Sequence, residues 1–269
     1  MTLNFMCDMT TLHFHKFDGA GNDFILIDAR QEECLLSKEQ IAYLCYRRFG
    51  IGADGLMTLS ADPDGNFDFV MHYYNSDGGE ASMCGNGGRC IALFAHRLGL
   101  SHADRVRFLA SDGPHDAEIL HYEPYTGKGV VRLGMCDVKG VERRIDGWLL
   151  NTGVPHYVQQ VSDLDHFDIR NEGRRLRFHP ELGSEGANVD FVESDGEGVL
   201  HIRTYERGVE DETWACGTGV TAAALVTGCH RVKALGGDFV VDFHPINNGF
   251  NQVMLTGPAS FNFKGEIAI

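Results

Sequence analysis

The fold is indicated by two similar stretches of sequence, Tyr74-Asn75-Ser76-Asp77-Gly78-Gly79-Glu80-Ala81-Ser82-Met83-Cys84-Gly85-Asn86-Gly87 and Tyr205-Glu206-Arg207-Gly208-Val209-Glu210-Asp211-Glu212-Thr213-Trp214-Ala215-Cys216-Gly217-Thr218-Gly219. Both end in Cys-Gly-x-Gly, and both continue into an apolar helical pattern. Cys84 and Cys216 are separated by about half of the 269 residues. The spacing predicts a duplicated fold in which each half delivers one thiol to a shared cleft.

Composition excludes several classes of partner and site. The formal charge of −15 argues against nucleic acid or an anionic membrane surface. No apolar run approaches the roughly 18 residues needed to span a bilayer. The segment Met1–Asp8 lacks a basic start and an apolar stretch, so we expect no signal peptide, a cytoplasmic location and reduced cysteines. None of the eight cysteines forms a C-x2-C pair, so no metal site is expected.

The remaining pattern is rich in strands, with few and short helices. Helices are predicted over Lys38–Tyr46 with Ser37 as N-cap, after Cys84 up to Gly99, and over Val220–Val226 with Gly228 as C-cap. Strands are predicted at Leu12–Phe17, Phe24–Asp28, Phe67–Tyr74, Val106–Ala110, Ala117–Tyr122, Gly129–Leu133, Trp148–Asn151, His156–Val161, Val189–Glu193, Leu200–Tyr205, Phe239–Phe243, Gln252–Thr256 and Ser260–Phe263.

These elements predict an α+β fold of two similar domains related by duplication. Each domain is expected to wrap a mostly antiparallel, barrel-like sheet around a central helix, with the active site in the cleft between the domains. The first domain spans 1–127 and carries Cys84, and the second spans 128–259 and carries Cys216. The chain is expected to cross between them near Tyr125–Lys128, and a strand at 260–269 to return to the first domain.

A cysteine at a helix N-terminus meets unpaired N–H groups and the positive end of the helix dipole. We expect this position to lower the thiol pKa and to give thiolate near neutral pH. Two such helix starts facing each other would bind a carboxylate between their amides. Opposed thiols suit a reaction that removes a proton from one face of a carbon and returns one to the other face.

Taken alone, Glu206-Arg207 is more often a solvated surface pair, and His156 is more often a structural residue. Each nevertheless has a chemistry that a site for an amino acid could use. Arg207 can grip a carboxylate through two hydrogen bonds, and Glu206 can pair with an ammonium group. Glu206 is also close enough in sequence to Cys216 to modulate its pKa. His156 follows Pro155 at a loop-to-strand junction, where it could accept or return a thiol proton.

With these residues in place, the chain resembles the diaminopimelate epimerases, which are cofactor-independent amino-acid epimerases of lysine and cell-wall biosynthesis. The resemblance is carried by Gly19-Ala20-Gly21-Asn22-Asp23-Phe24, Arg48-Phe49-Gly50-Ile51-Gly52-Ala53-Asp54-Gly55, Asn75-Ser76-Asp77-Gly78, Cys84-Gly85-Asn86-Gly87-Gly88-Arg89-Cys90, Gly153-x-Pro155-His156, Asn188-Val189, Tyr205-Glu206-Arg207-Gly208 and Ala215-Cys216-Gly217-Thr218-Gly219. It implies the interconversion of LL- and meso-diaminopimelate without pyridoxal phosphate or metal, in a cytoplasmic homodimer.

The resemblance also implies roles for individual residues. Cys84 and Cys216 would be the acid/base pair, one starting as thiolate and the other as thiol. Substrate would be bound by side chains and amides of Asn22, Asn75, Gly85, Asn86, Asn188, Glu206, Arg207, Gly217 and Thr218. Three positions depart from the family pattern: Val154 replaces a small polar residue, Gly55 replaces a Gln found in some members, and Asp18 replaces the usual His.

Other functions remain open from the sequence. Proline racemase-like enzymes also use paired cysteines, and phenazine-type isomerases share the fold without the thiol pair. A redox protein that works through a Cys84–Cys216 disulfide belongs to another class, as does a binding module without catalysis. Substrate profiling and the activity of the oxidised form separate these alternatives.

Overall fold

The computed structural model describes residues 11–31, 34–81 and 83–269, so the expectation about Met1–Asp8 lies outside the described residues. Its helices are α1 (Lys38–Cys45), α2 (Gly85–Arg97), α3 (Ile169–Arg177) and α4 (Gly217–Thr227), with short 3-10 turns at Leu164–His166 and Pro180–Leu182. Its strands are β1 (Thr11–Gly19), β2 (Asn22–Asp28), β3 (Gly55–Ser60), β4 (Phe69–Asn75), β5 (Glu80–Ala81), β6 (Arg105–Ala110), β7 (Gly113–Tyr122), β8 (Lys128–Gly134), β9 (Val138–Lys139), β10 (Val141–Arg144), β11 (Gly147–Asn151), β12 (Pro155–Gln160), β13 (Asn188–Ser194), β14 (Val199–Glu206), β15 (Asp211–Thr213), β16 (Arg231–Ala234), β17 (Gly237–Ile246) and β18 (Gly249–Ala268).

The first half is a closed barrel around α2. Its strands pair in the order β1, β2, β3, β4, β6, β7, β8 and β18, and β18 pairs back to β1. The pairs β2–β3 and β4–β6 are parallel, and the others are antiparallel. Because the ring closes, α2 is enclosed, and its residues from Gly85 to Ala95 are all buried.

The second half repeats this plan around α4. The parallel pairs β12–β13 and β14–β16 correspond to β2–β3 and β4–β6, and α3 occupies the place of α1 between two parallel strands. Residues Gly219–Leu225 of α4 are buried, as its uniformly apolar sequence predicts. The predicted fold class, a duplicated pair of domains each built as a barrel-like sheet around a helix, is confirmed.

One long strand, β18, belongs to both halves. Its first residues pair with β17 and β9, Gly257–Ser260 pair with β8, and Ser260–Ala268 pair with β1. The predicted return of the last strand is therefore observed in its pairing with β1. The domain boundary after residue 127 stays a prediction. Strand β8, just beyond it, pairs with β7 and contributes Val131 and Leu133 to the first core.

Four apolar clusters hold these layers together. Two lie inside the barrels around α2 and α4, and two lie outside them, beneath α1 and α3. Burial of large side chains such as Phe69, Phe94 and Phe108 contributes about 2 to 3 kcal/mol each. The two inner clusters matter most for function, because they fix the positions of the two helix starts.

Local signals explain which elements the sequence predicts and which it misses. Ser37 and Gln40 form the capping box that starts α1, and Gly228 ends α4 in the left-handed conformation. Helix α3 and strand β3 have no counterpart among the predicted elements, and neither do the short strands β5, β9, β10, β15 and β16. In α3, only Ile169, Gly173 and Leu176 are buried within a charged segment, so its apolar pattern is weak. None of the helices in the described part of the chain has the length and apolar character needed to cross a membrane.

Candidate active site

Each of the two repeated cysteines is the N-cap of a central helix. Cys84 (φ −99°, ψ 134°) and Cys216 (φ −111°, ψ 111°) are extended, and neither side chain caps its own helix. The first helical hydrogen bonds run from Gly88 N to Cys84 O at 2.7 Å and from Val220 N to Cys216 O at 2.8 Å. The amides before Gly88 and Val220 therefore lack intrahelical acceptors and can serve a ligand.

The two helix starts touch each other, and glycine makes this approach possible. A Cβ added to Gly217 would lie 3.3 Å from Cα of Gly85, and one added to Gly85 would lie 3.5 Å from Cα of Gly217. The same Cβ on Gly217 would lie 3.2 Å from Oδ1 of Asn86. The contacts at Gly217 are tighter than ordinary van der Waals contacts, so a larger residue there would push the helices, and with them the two thiols, apart. The contact at Gly85 is an ordinary one.

Asn86 ties the two cysteine loops together. Its Nδ2 donates to the carbonyl oxygen of Ala215 at 2.8 Å and to Oδ1 of Asn22 at 2.7 Å. Its own Oδ1 accepts from Nη2 of Arg89 at 2.8 Å. Because the side chain is fully buried, these bonds are not exchanged with water. The loop before Cys216 is thus held by a residue of the helix that follows Cys84.

A cavity of about 510 Å³ opens beside the helix starts. Eleven of the twelve predicted site residues line it: Asn22, Asn75, Cys84, Gly85, Asn86, Asn188, Glu206, Arg207, Cys216, Gly217 and Thr218. The twelfth, His156, is fully buried behind Thr218 instead. Val154, one of the departures from the family pattern, also lines the cavity. The other lining residues were not predicted as site residues from the sequence: Tyr73, Ala81, Met83, Asp112, Pro114, His115, Asp116, Gly134, Met135, Cys136, Thr152 and Gly153.

A chain of hydrogen bonds connects Cys216 to a buried histidine. Sγ of Cys216 lies 3.3 Å from Oγ1 of Thr218, which lies 2.9 Å from Nε2 of His156. Nδ1 of His156 lies 2.7 Å from Oδ2 of Asp190, and Oδ1 of Asp190 accepts from Thr204 at 2.7 Å. Because a carboxylate oxygen can only accept a hydrogen bond, we place the ring proton of His156 on Nδ1, next to Asp190. Nε2 is then free to accept a proton through Thr218.

Burial sets the direction of the thiol pKa values. It raises the pKa of Cys84, and the Glu206 carboxylate raises it further, against the opposing effect of the Gly87 and Asn86 amides. Burial also raises the pKa of Cys216 well above its usual range, with Glu206 and Asp190 adding to the rise. The expectation of a lowered thiol pKa is therefore wrong for the unliganded protein. Removal from water outweighs the helix start.

Two charged groups face the cavity from the end of β14. Oε2 of Glu206 is buried without a hydrogen-bond partner among the described residues, and burial raises the pKa of this carboxyl. The guanidinium of Arg207 forms no ion pair or hydrogen bond within the described part of the chain, while its backbone N–H donates to Oδ1 of Asn188 at 2.7 Å. One carboxyl oxygen and one guanidinium without a partner among the described residues therefore belong to residues that line the cavity.

The positions that depart from the resembled pattern fall in different surroundings. Val154 lines the cavity and gives it an apolar side chain there. A Cβ on Gly55 would lie 2.6 Å from Cε2 of Tyr73, so the Tyr73 ring occupies the room that a longer side chain would need. Asp18 lies away from this cavity, and burial raises its pKa.

Asn22 is held by a network of charged side chains that no sequence motif predicted. Its Nδ2 donates to Oδ2 of Asp54 at 2.8 Å. Arg47 bridges Asp54 and Asp23 through bonds of 2.6 Å each, and Lys16 pairs with Asp23. Asp190 was missed as well, although a charged residue within the apolar run Val189–Val192 signals a buried partner.

The described residues contain no group of three or more His, Cys, Asp or Glu side chains arranged to hold a metal ion. Their cysteines are all free thiols. The repeated thiols of Cys84 and Cys216, the two sets of helix-start amides, the Glu206 carboxyl and the Arg207 guanidinium line one cavity, together with Cys136, Asp112, His115 and Asp116. These charged and polar groups fit a zwitterionic amino acid.

Comparison with known proteins identifies relatives across nearly the whole chain. A family model described as diaminopimelate epimerase matches residues 14–134 and 148–262. A diaminopimelate epimerase of Flavobacterium psychrophilum is 42% identical over 267 residues, which are 95% of this chain and 100% of that protein. Another, from Chlorobaculum tepidum, is 41% identical and covers 93% of this chain and 99% of its own length.

Solved structures with the same fold are more distant in sequence. A phenazine biosynthesis protein of the PhzF family from Bacillus anthracis matches with a TM-score of 0.70 at 15% identity, covering 97% of this chain and all of that one. A probable proline racemase from Agrobacterium radiobacter matches with a TM-score of 0.68, also at 15% identity, covering 96% of this chain and 93% of its own. These likenesses establish the shared fold.

Proposed function

Because the chain belongs to the diaminopimelate epimerase family, we propose that it interconverts LL-2,6-diaminopimelate and meso-2,6-diaminopimelate for lysine and peptidoglycan precursor biosynthesis. The observation that carries this proposal is the meeting of two cysteine-capped helices at one cavity. Acid/base chemistry at one carbon needs one group on each face, and the duplicated fold supplies one from each half.

The reaction moves one proton off and one proton on. The thiolate of one cysteine takes the α-proton, and the electron pair of the broken C–H bond passes into the adjacent carboxylate. The thiol of the other cysteine then protonates the opposite face of the same carbon. At the end the thiolate and thiol have exchanged places, and no electron is gained or lost. The cysteine that acts as base in one direction of the reaction acts as acid in the reverse direction, so Cys84 and Cys216 exchange roles between the two directions.

The helix-start amides stabilise the charge that develops on the substrate. A carboxylate between the amides of Gly85 and Asn86 and those of Gly217 and Thr218 would accept hydrogen bonds from both halves. These donors are fixed before the substrate arrives, so no reorganisation is needed as negative charge grows. Loss of a single positioned donor of this type costs about 3 to 4 kcal/mol of transition-state stabilisation.

Glu206 couples substrate binding to thiol ionisation. Its unpartnered carboxylate is suited to the ammonium group on the reacting carbon. The same negative charge raises the pKa of both thiols when no cation balances it. Pairing with a bound ammonium removes that effect, so a thiolate forms more readily in the complex than in the free protein.

His156 provides a route for the proton of Cys216. In the direction that needs Cys216 as base, its proton can pass through the hydroxyl of Thr218 to Nε2 of His156. Asp190 stabilises the imidazolium that results. The buried pair thereby modulates the pKa of Cys216 without entering the cavity.

The end of the substrate away from the reacting carbon would bind to other polar residues that line the cavity. Arg207 is suited to a bidentate grip on the second carboxylate, and Asn75 and Asn188 can add hydrogen bonds. Asn188 also holds the backbone of Arg207 at 2.7 Å, so it positions the segment that carries the guanidinium. Asn22, held by Asp54, contributes near the helix starts.

We also propose that the reaction needs no cofactor and that the enzyme is a cytoplasmic homodimer. Thiol chemistry needs a reducing compartment, and acid/base transfer by two thiols needs no electron sink. Full activity after treatment with a metal chelator and with borohydride would support the cofactor-free reaction. Light scattering on the purified protein would test the dimer.

The test is epimerisation of LL-diaminopimelate under reducing conditions, followed by chiral chromatography. Formation of meso-diaminopimelate supports the proposal, with L-lysine and L-proline as control substrates. Racemisation of proline instead would keep the thiol chemistry and reject the substrate. Activity confined to the oxidised protein would favour a redox function, and binding without turnover would favour a binding module.

A further inference from the structure

Arg89 is a fully buried cation on the helix that begins at Cys84. Its guanidinium donates to the carbonyl oxygen of Gly85 at 3.0 Å, to Oδ1 of Asn86 at 2.8 Å and to the carbonyl oxygen of Pro258 at 3.1 Å. Its Cζ lies 5.1 Å from the centre of the Phe239 ring. All of these partners are neutral, so the hydrogen bonds are satisfied while the charge is not neutralised.

Within the described residues, no carboxylate forms an ion pair with Arg89. Burial lowers its pKa to about 10, which leaves it protonated near neutral pH. The ionisable groups whose negative charge would favour its protonated form are the thiols of Cys90 and Cys84. Cys90 is itself fully buried in the first core, so Cys84 is the thiol of this pair that reaches the cavity. A buried cation without a counter-ion is costly and requires an explanation.

The second half has no such cation at the corresponding place. Five residues after Cys216 stands Thr221, whose hydroxyl donates to the carbonyl oxygen of Gly217 at 2.9 Å. Cys216 also faces the carboxylates of Glu206 and Asp190. The duplicated helix starts are therefore alike in backbone and different in charge.

Titratable groups from three elements, β14, β4 and α2, surround Cys84. Glu206 faces it from β14, Tyr73 from β4, and Arg89 and Cys90 from its own helix. Glu206 acts on both thiols, so it does not distinguish them. Arg89 is the cation that acts on Cys84, and Asp190 is the additional anion that acts on Cys216.

We propose that Arg89 is a positioning residue whose buried charge favours the thiolate at Cys84 over the thiolate at Cys216. It also fixes the side chain of Asn86, which holds the loop before Cys216. Of the two buried thiols, Cys84 is then the one that ionises more readily. This inference rests on the proposed two-thiol function and adds the residue that makes the two thiols unequal.

The experiment measures each thiol separately. Reduced enzyme is pulsed with iodoacetamide between pH 6 and 10, and alkylation of the Cys84 and Cys216 peptides is followed by mass spectrometry. Only thiolates react, so each pH midpoint reports the ionisation of its own cysteine. Modification of the buried Cys90 serves as the sensor of unfolding. The wild type is compared with Arg89→Gln, which removes the charge, and Arg89→Lys, which keeps it.

We expect the midpoint of Cys84 to lie below that of Cys216 in the wild type. Arg89→Gln should slow alkylation of Cys84 at pH 7.5 severalfold and change Cys216 much less, because an opposite charge favours the ionised form of a nearby thiol. Arg89→Lys should retain most of the Cys84 reactivity. These results would support the proposal.

Three results would overturn it: a lower midpoint for Cys216 in the wild type, an equal slowing of both thiols in Arg89→Gln, or the same loss in Arg89→Lys. If Arg89→Gln does not fold, the order of the wild-type midpoints and the Arg89→Lys variant still decide. The alkylation result is independent of turnover. Epimerisation by the wild type therefore tests the proposed function separately, and either claim can fail alone.

Discussion

The Nδ2 of Asn86 donates to the carbonyl oxygen of Ala215 at 2.8 Å, so a residue two positions after Cys84 holds the residue directly before Cys216. The bond joins positions 129 residues apart in sequence. It lies at the contact of the two helix starts, where Gly85 and Gly217 allow close approach. The two thiols are therefore fixed relative to one another by buried contacts from both halves.

Replacement of either thiol should abolish epimerisation. Cys84→Ala or Cys216→Ala removes a proton donor or acceptor from one face, and general acid/base groups typically contribute about 10² to 10⁴ in rate. Cys→Ser should leave little activity, because a hydroxyl is a far poorer base. Steady-state kinetics with each isomer, with circular dichroism to verify folding, checks this. Full activity in either Ala variant would contradict the assignment.

The hydroxyl of Thr218 should be required for proton transfer between Cys216 and His156. Thr218→Val keeps the shape and removes the bridge, so we expect a loss of roughly 10-fold to 100-fold in kcat. Thr218→Ser restores the hydroxyl and should recover most of the rate. Measuring kcat against pH for the three proteins checks the route. Equal rates for the Val and Ser variants would show that the bridge is not used.

Gly219→Ala should disturb the His156–Asp190 pair. The added methyl would lie 2.4 Å from Oδ1 of Asp190 and 3.2 Å from Cε1 of His156, so helix α4 must shift. We expect a loss of about 1 to 3 kcal/mol in the free energy of unfolding and a larger loss of activity than stability alone explains. Denaturant unfolding and kinetics on the same preparation test this. An unchanged midpoint and rate would mean that the helix accommodates the methyl without movement.

Stability should fall at high pH because of the buried thiol of Cys45. Burial raises its pKa from 9.0 to about 11. The folded state holds this proton more tightly than the unfolded state, so the contribution is complete below pH 9 and is lost as pH rises through the folded pKa. The shift corresponds to about 2 to 3 kcal/mol. Denaturant unfolding from pH 8 to 11 should show a smaller decline in Cys45→Ala than in the wild type, and parallel declines would contradict this origin.

Much of the architecture could be predicted because the two cysteine loops have similar sequences, which reveals the duplication. Repetition of Cys-Gly-x-Gly indicates two equivalent helix starts, and capping signals such as Ser37 and Gly228 mark element ends. The duplication also implies that a helix, α3, lies at the place that corresponds to α1. The local sequence does not predict this helix, because Gly173 lies in its middle, where it packs closely against Tyr205.

The parts that could not be predicted depend on contacts between distant segments. The direction of the thiol pKa values follows from burial, which a motif does not reveal. The partnership of His156 with Asp190 arises from the register of two parallel strands. The absence of a counter-ion for Arg89 among the described residues could not be predicted either, because it depends on three neutral acceptors that the fold brings to the guanidinium.

The most direct test of the two-thiol account is the early labelling pattern of the reaction in D2O. LL-diaminopimelate is converted to a few per cent completion, and deuterium is measured in both isomers by NMR. If one thiol removes the proton and the other supplies a solvent-derived deuteron, the meso product carries deuterium at the inverted carbon while the remaining LL substrate stays unlabelled. Deuterium entering the remaining substrate as fast as the product would contradict the account, because a single group would then serve both faces.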